Sequence, residues 1–142
     1  MAAKGRILIV DDDAMVLFVF RDTLRELGDA YEIVTTQSGL TALDEVRKEP
    51  FSLVITDLSM PDLGGVALTE GIRQASPDTA VVWITAYGCH SVSTDAARLQ
   101  VPHCYDKPLE VDEILQIARE ALGIDTGPPT KASNAQPARS KR

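Results

Sequence analysis

The chain has 142 residues, 44% hydrophobic and 25% charged. That composition excludes a fibrous repeat and a chain too polar to fold, and the length allows one domain able to bury about two thirds of its unfolded surface. The net charge of −7 is unevenly spread: residues 1–122 carry 10 Lys and Arg against 20 Asp and Glu, and residues 123–142 carry 4 against 1.

An acidic body repels nucleic acid, because such binding draws its energy from neutralised phosphates. The four cations of the tail are spread over the last twelve residues and form no compact basic face. No direct nucleic-acid partner is expected. The longest apolar run, Met15 to Phe20, is far too short to cross a bilayer, and the start Met-Ala-Ala-Lys-Gly-Arg has no long apolar segment behind it to make a signal peptide. The expectation is a cytoplasmic protein with no membrane partner. Cys89 and Cys104 are too few for a disulfide framework and are expected to remain reduced.

In chain order, the first expected strand is Arg6–Val10, followed by Asp11-Asp12-Asp13 and a helix over Ala14–Leu27, with Leu17, Phe20, Leu24 and Leu27 on one face. A strand at Tyr31–Thr36 precedes a helix over Leu40–Lys48. The third strand, Phe51–Thr56, runs into Asp57 and then a helix over Val66–Ala75. The fourth, Thr79–Ile84, runs into Thr85 and a short helix near Val92–Leu99. The fifth, Val101–Tyr105, leads to Lys107 and a last helix over Val111–Leu122, with Ile114, Ile117, Ala118 and Ala121 on one face. Runs such as Ile7-Leu-Ile-Val10 and Leu53-Val-Ile55 are apolar without alternation, as expected when helices cover both faces of a parallel sheet. Five β-α units with right-handed crossovers make a doubly wound α/β domain. The organisation expected is an N-terminal extension at 1–5, the domain at 6–122, and at 123–142 a disordered tail, a linker to a further domain or an expression remnant.

In doubly wound sheets the site lies beyond the carboxyl ends of the strands. Those ends carry Asp11-Asp12-Asp13, Asp57, Thr85 and Lys107. Carboxylates converging there repel one another unless a cation sits among them, and an oxygen-only donor set suits Mg2+. A hydroxyl and an ammonium on the far side make a pocket for a tetrahedral anion. The set fits phosphoryl chemistry, with one Asp as nucleophile, the metal and the lysine neutralising phosphoryl oxygens, and the threonine donating a hydrogen bond.

Four segments, Ile7-Leu-Ile-Val-Asp-Asp-Asp13, Leu53-Val-Ile-Thr-Asp-Leu-Ser-Met-Pro-Asp62 with Gly64-Gly65, Trp83-Ile-Thr-Ala-Tyr-Gly88 and Asp106-Lys-Pro-Leu109, come in an order and spacing that resembles the CheY-like receiver domain of two-component response regulators, over residues 5–122. The resemblance implies a flavodoxin-like five-stranded parallel sheet of order 2-1-3-4-5. It implies that Asp57 accepts a phosphoryl group from a phosphohistidine of a sensor histidine kinase or phosphotransfer protein. Asp12 would bind Mg2+ with Asp11 supporting it, Asp57 and the Ser59 backbone carbonyl would supply further oxygens, and Thr85 and Lys107 would contact the phosphoryl group. The Lys107–Pro108 bond is expected to be cis, and Asp13 is expected to cap the first helix rather than bind metal. Gly64-Gly65 lets the loop turn into the third helix.

The resemblance also implies an output face on the fourth helix, fifth strand and fifth helix, a downstream protein bound there, and a monomer or weak phosphorylation-dependent dimer. The protein is then a signalling phosphoacceptor, not an enzyme beyond slow self-catalysed phosphotransfer and autodephosphorylation. Ala86 leaves the phosphoryl group reachable, and Tyr87 and Ser59 sit where the family tunes dephosphorylation, with the bulky Tyr87 favouring a slow loss. One position departs from the pattern: Cys104 stands where most receivers place an inward-turning aromatic ring, and Tyr105 beside it points to the opposite face.

Two other chemistries compete. Cys89-His90 and His103-Cys104 offer a zinc-like donor set, but adjacent residues diverge and no Cys-x-x-Cys spacing is present. A haloacid-dehalogenase-type Mg2+-dependent aspartyl-phosphate phosphohydrolase would use Asp11 as nucleophile with Asp13, and would leave Asp57 and Lys107 without a role.

Overall fold

In the computed structural model, which describes residues 5–124, the elements alternate as β1 (Gly5–Val10), α1 (Ala14–Leu24), β2 (Tyr31–Thr36), α2 (Gly39–Lys48), β3 (Leu53–Asp57), α3 (Gly65–Ala75), β4 (Ala80–Thr85), α4 (Ser93–Arg98), β5 (His103–Asp106) and α5 (Val111–Leu122). All four strand pairings are parallel, and the sheet order is β2-β1-β3-β4-β5 as expected. The continuous apolar runs bury side chains on both faces. Ile7, Ile9, Leu53, Ile55, Val82, Ile84 and Tyr105 point towards Leu17, Phe20 and Leu24 of α1 and Ile114, Ile117 and Ala118 of α5. Their neighbours Leu8, Val10, Val54, Val81 and Trp83 point the other way, towards Ala42 and Val46 of α2 and Leu68 and Ile72 of α3. A period of two with both faces covered explains why the sequence shows no polar alternation.

Several ends differ from the sequence reading, each for a local reason. Helix α1 stops at Leu24 and gives way to a 3-10 turn over Arg25–Ala30, in which Gly28 adopts φ +84°, so Leu27 packs on the core from outside the α-helix. Strand β5 begins at His103, not Val101: Pro102 has no N–H to give the ladder, although Val101 is buried. Strand β3 begins at Leu53. Phe51 is buried before it, with its ring 4.1 Å under the Arg6 guanidinium and its carbonyl accepting from the Thr79 hydroxyl. Helix α4 is shorter than expected, because Cys89–Val92 forms a 3-10 turn ahead of it.

The helix starts are built by the residue types that favour them. Asp13 Oδ1 accepts from the Met15 amide at 2.9 Å, the capping role expected of it. Ser38 caps α2, and Glu110 with Glu113 forms a reciprocal capping box at α5. Gly123 and Ile124, assigned to the tail from sequence, close α5: Gly123 is left-handed at φ +72° and the Ile124 amide donates to the Arg119 carbonyl at 2.9 Å. The rest of the expected tail and of the N-terminal extension lies outside the described residues.

Candidate phosphoacceptor site

The carboxyl ends of β1, β3 and β5 bring three of the expected residues into contact. Asp11 follows β1, its amide tied to the Thr36 carbonyl at the end of β2 at 3.2 Å. Asp57 is the last residue of β3, and both carboxylates are nearly buried, at 3% and 6% exposure. Lys107, just beyond β5, reaches back between them: its Nζ donates to Asp11 Oδ2 at 3.1 Å and to Asp57 Oδ2 at 3.0 Å. The peptide after it, Lys107–Pro108, is cis as expected.

Asp12 is exposed and completes the acidic group, since Asp11, Asp12 and Asp57 each offer a carboxylate oxygen within 4.8 Å of the others. The donor set is oxygen only, and two of its members are held by their own backbones: Asp11 Oδ1 accepts from the Asp13 amide at 2.9 Å, and Asp57 Oδ1 from the Ser59 amide at 3.1 Å. Such a set fits a hard divalent cation. Among the described residues this is the one cluster of three or more metal-ligating side chains.

The electrostatics follow from burial and contact. Burial lifts the Asp11 carboxyl above the ordinary carboxylate range, more than the Asp13 amide and Lys107 lower it. Burial also pulls the Lys107 ammonium down, but the hydrogen bonds to Asp57 and Asp11 and the attraction of their charges together outweigh this and hold it above an ordinary lysine. Lys107 is therefore a fixed positive charge between two carboxylates at neutral pH.

Thr85 ends the neighbouring strand. It is buried at the end of β4, its hydroxyl oxygen accepts from the Tyr87 amide at 2.9 Å, and its carbonyl accepts from the Lys107 amide at 2.8 Å. Ala86 is exposed and Tyr87 is 73% exposed, so the segment after Thr85 leaves the core at once. Ser59 is placed by its backbone N–H, which donates to Asp57 Oδ1.

The β3–α3 loop owes its shape to contacts the sequence did not announce. Asp62 accepts from the Ser38 hydroxyl at 2.5 Å and from the amides of Gly39, Leu40 and Leu63, so it fastens the loop to the start of α2. Ser38 chiefly, aided by those amides, holds its carboxyl at about 2. Only its place in Met60-Pro61-Asp62 signalled it. Gly64 and Gly65 have ordinary φ; what requires glycine at 65 is close approach, since a Cβ there would lie 2.6 Å from the Asp57 carbonyl oxygen.

The sequence expectation fails at the two cysteines. Cys89 and Cys104 are disulfide-bonded to each other, with Cα atoms 5.8 Å apart, and not reduced. They are fifteen residues apart in sequence, but β5 lies beside β4, and the turn after β4 folds back over the neighbouring strand. The zinc-like donor set does not assemble. His103 points to the other face, where its Nδ1 lies 3.3 Å from the Tyr105 hydroxyl. Tyr105 is buried with α1 and α5 while Cys104 packs on the opposite cluster, as the alternation of strand side chains required.

A parallel doubly wound sheet with a buried aspartate, an acidic cation site and a lysine at its carboxyl edge defines a class of phosphoryl-accepting signalling domains. The chain belongs to the response regulator receiver domain family, which it matches over residues 7–119. It is 38% identical over 124 residues to the response regulator protein FleR of Pseudomonas aeruginosa, covering 87% of this chain and 25% of that one. It is 31% identical to the transcriptional regulatory protein ZraR of Escherichia coli K12, covering 82% of this chain and 26% of that one. The chain thus spans about a quarter of the length of these relatives.

Among solved structures it is similar to a CheY-like receiver domain protein of Methanospirillum hungatei, at 27% identity and a TM-score of 0.77 over 84% of this chain and 94% of that one. The beryllofluoride-activated NtrC4 receiver domain dimer is similar at 27% identity and a TM-score of 0.75, over 83% and 96%. None of these relatives supports the phosphohydrolase alternative, and the Asp13 carboxylate it would require is engaged as a helix cap.

Proposed function

We propose that this receiver takes a phosphoryl group onto Asp57 from the phosphohistidine of a sensor histidine kinase or phosphotransfer protein. The observation that carries the reading is the buried Asp57 carboxylate held 3.0 Å from Lys107 Nζ within the acidic group of Asp11 and Asp12. An Asp57 carboxylate oxygen attacks phosphorus, the P–N bond to the donor imidazole breaks, and the imidazole leaves with the bonding pair. Lys107 stays protonated and moves its hydrogen bonds towards the phosphoryl oxygens. The Thr85 hydroxyl, now only an acceptor from Tyr87, has a proton to donate to the same group. Asp11, Asp12, Asp57 and the Ser59 carbonyl would hold Mg2+, which when bound neutralises phosphoryl charge.

The phosphorylated domain acts as a signal, not a turnover enzyme: self-catalysed transfer and autodephosphorylation are slow, with Ser59 bonded to Asp57 and the bulky Tyr87 two residues after Thr85. Output passes to a downstream protein through the face of α4, β5 and α5, in the cytoplasm, from a monomer or a weak phosphorylation-dependent dimer. The acidic body argues against direct contact with nucleic acid. No helix among the described residues is long and apolar enough to cross a membrane.

Incubation with acetyl phosphate and Mg2+ tests the reading. The expected result is one stable, acid-resistant and base-labile label on the wild-type chain and none on Asp57→Asn. Continuous release of phosphate dependent on Asp11 would overturn it, and loss of label within seconds would overturn the slow autodephosphorylation.

A further inference from the structure

We propose that Cys89 and Cys104 form a redox latch that controls how readily the receiver responds at Asp57, through exchange with a low-molecular-weight disulfide. The proposal rests on the phosphoacceptor reading for its effect, and on geometry for its existence. Cys104 lies within β5, three residues before Lys107, and pairs in register with Trp83 of β4. Cys89 lies four residues after Thr85, in the turn that leads to α4. The short segment between Thr85 and Cys89 is therefore tethered at both ends to the same strand. At one end the Lys107 amide donates to the Thr85 carbonyl at 2.8 Å. At the other end the disulfide joins Cys89 to Cys104, and the Cys89 amide donates to Asp106 Oδ1 at 2.8 Å.

The other ties of residues 86–88 lie within the turn itself: the Tyr87 amide donates to Thr85 Oγ1 at 2.9 Å, and the Gly88 carbonyl accepts from the Ser91 amide and hydroxyl. Ala86 and Tyr87 are exposed, and Gly88 bends the chain at φ +94° with no atom within 4 Å of a Cβ placed there. The covalent bond is thus the strongest restraint on a segment that Thr85 must draw with it whenever its hydroxyl turns towards a phosphoryl group. Opening the bond leaves one amide hydrogen bond at that end.

The sulfurs are also reachable. Both cysteines are only half-buried, and both line an open groove of about 900 Å³ between α4 and β5, walled by Ala96, Ala97, Val101 and Pro102. In a reducing compartment, a disulfide of this kind is more often a redox-responsive element than a structural staple. The exchange balances in two steps. One cysteine thiolate attacks a sulfur of the small disulfide, forming a mixed disulfide and expelling one thiolate. The second cysteine thiolate then attacks the protein sulfur of that mixed disulfide, closing Cys89–Cys104 and expelling the second thiolate. The protein is oxidised by two electrons, the small disulfide is reduced by two, and the two cysteine protons pass through solvent to the released thiols.

The test uses the full 142-residue chain, equilibrated with oxidised glutathione or with dithiothreitol, then split between alkylation with mass measurement and labelling by acetyl phosphate with Mg2+. The oxidised chain should resist alkylation at both cysteines as a monomer. It should label at least about fivefold more slowly than the reduced chain, the lower end of coupling between linked sites. Cys89→Ser and Cys104→Ser should label alike in both conditions. Hydrogen exchange gives a readout independent of phosphorylation: reduction should raise exchange of the 89–92 amides at least about fivefold. Alkylation of both cysteines after oxidation, or labelling at equal rates in the two states, would overturn the latch. Absence of label in both states, with exchange still redox-dependent, would overturn the phosphoacceptor reading and leave the latch standing.

Discussion

Lys107 Nζ lies 3.0 Å from Asp57 Oδ2 although the two residues are fifty positions apart, and the same ammonium lies 3.1 Å from Asp11 Oδ2, ninety-six positions away. One cation thus joins β1, β3 and β5 at the edge of the sheet. The Lys107 side chain is a quarter exposed while the two carboxylates are nearly buried, so the lysine is what makes their burial tolerable.

Lys107→Met should therefore cost stability as well as function. With two buried carboxylates left to face each other, unfolding free energy at pH 7 should fall by about 1–2 kcal/mol, below the range for a fully buried pair because Lys107 is partly solvated. Urea denaturation checks this, and millimolar Mg2+ should recover part of the loss in the variant. Unchanged stability would show that the lysine does not screen Asp11 from Asp57.

The buried Trp83 is the one tryptophan of the chain, and its Nε1 donates to Thr69 Oγ1 at 2.9 Å. Thr69→Val keeps the volume but removes the acceptor. It should cost about 1–3 kcal/mol, the penalty for an unpaired buried donor. Trp83 fluorescence follows the unfolding and should also shift in the folded variant.

Gly65→Ala places a Cβ 2.6 Å from the Asp57 carbonyl oxygen and 2.8 Å from Leu58 Cδ2. Such a change gains about 1 kcal/mol in a helix interior when space allows, and less at a first helical residue such as Gly65, so the sign of the measured effect is diagnostic. A loss of stability together with slower labelling by acetyl phosphate is expected. A gain in stability would mean that the loop gives way freely.

Asp62 has a defined pH signature. Its folded carboxyl titrates at about 2 against 3.8 when free, so it favours the folded state above pH 3.8, and this contribution is lost as pH falls towards 2. Asp62→Ala should lower Tm at pH 7, and the gap to the wild type should narrow between pH 4 and pH 2. A gap that stays constant over that window would place the effect in the side chain's bulk and not in its charge.

The agreement between sequence and structure has a particular physical basis at each element. Strand β2 and helix α5 match their expected ends because their signals are local: a β-branched run for Tyr31–Thr36, and a strongly one-sided helix with a Glu110–Glu113 box for Val111–Leu122. Strands β3 and β5 were read too early because Phe51 and Val101 are apolar and buried yet lie outside the ladder. Burial leaves the same mark on a sequence whether or not the backbone is paired. The hydrogen bonds of Asp62 to the start of α2 and of Thr69 to Trp83 could not be read either, since hydrogen bonds across fourteen to twenty-four residues have no period.

By itself the sequence determined the class of the domain, the order of its elements and the residue types at each strand end, because side-chain periodicity and capping act over a few residues. Only the tertiary structure decided that Lys107 touches Asp11 and Asp57 at once, that Gly65 is required by the Asp57 carbonyl, and that Cys89 meets Cys104. Each of these depends on which strands lie side by side and how the turns after them fold back. That arrangement emerges from packing the whole sheet between its helices, and no short window of residues contains it.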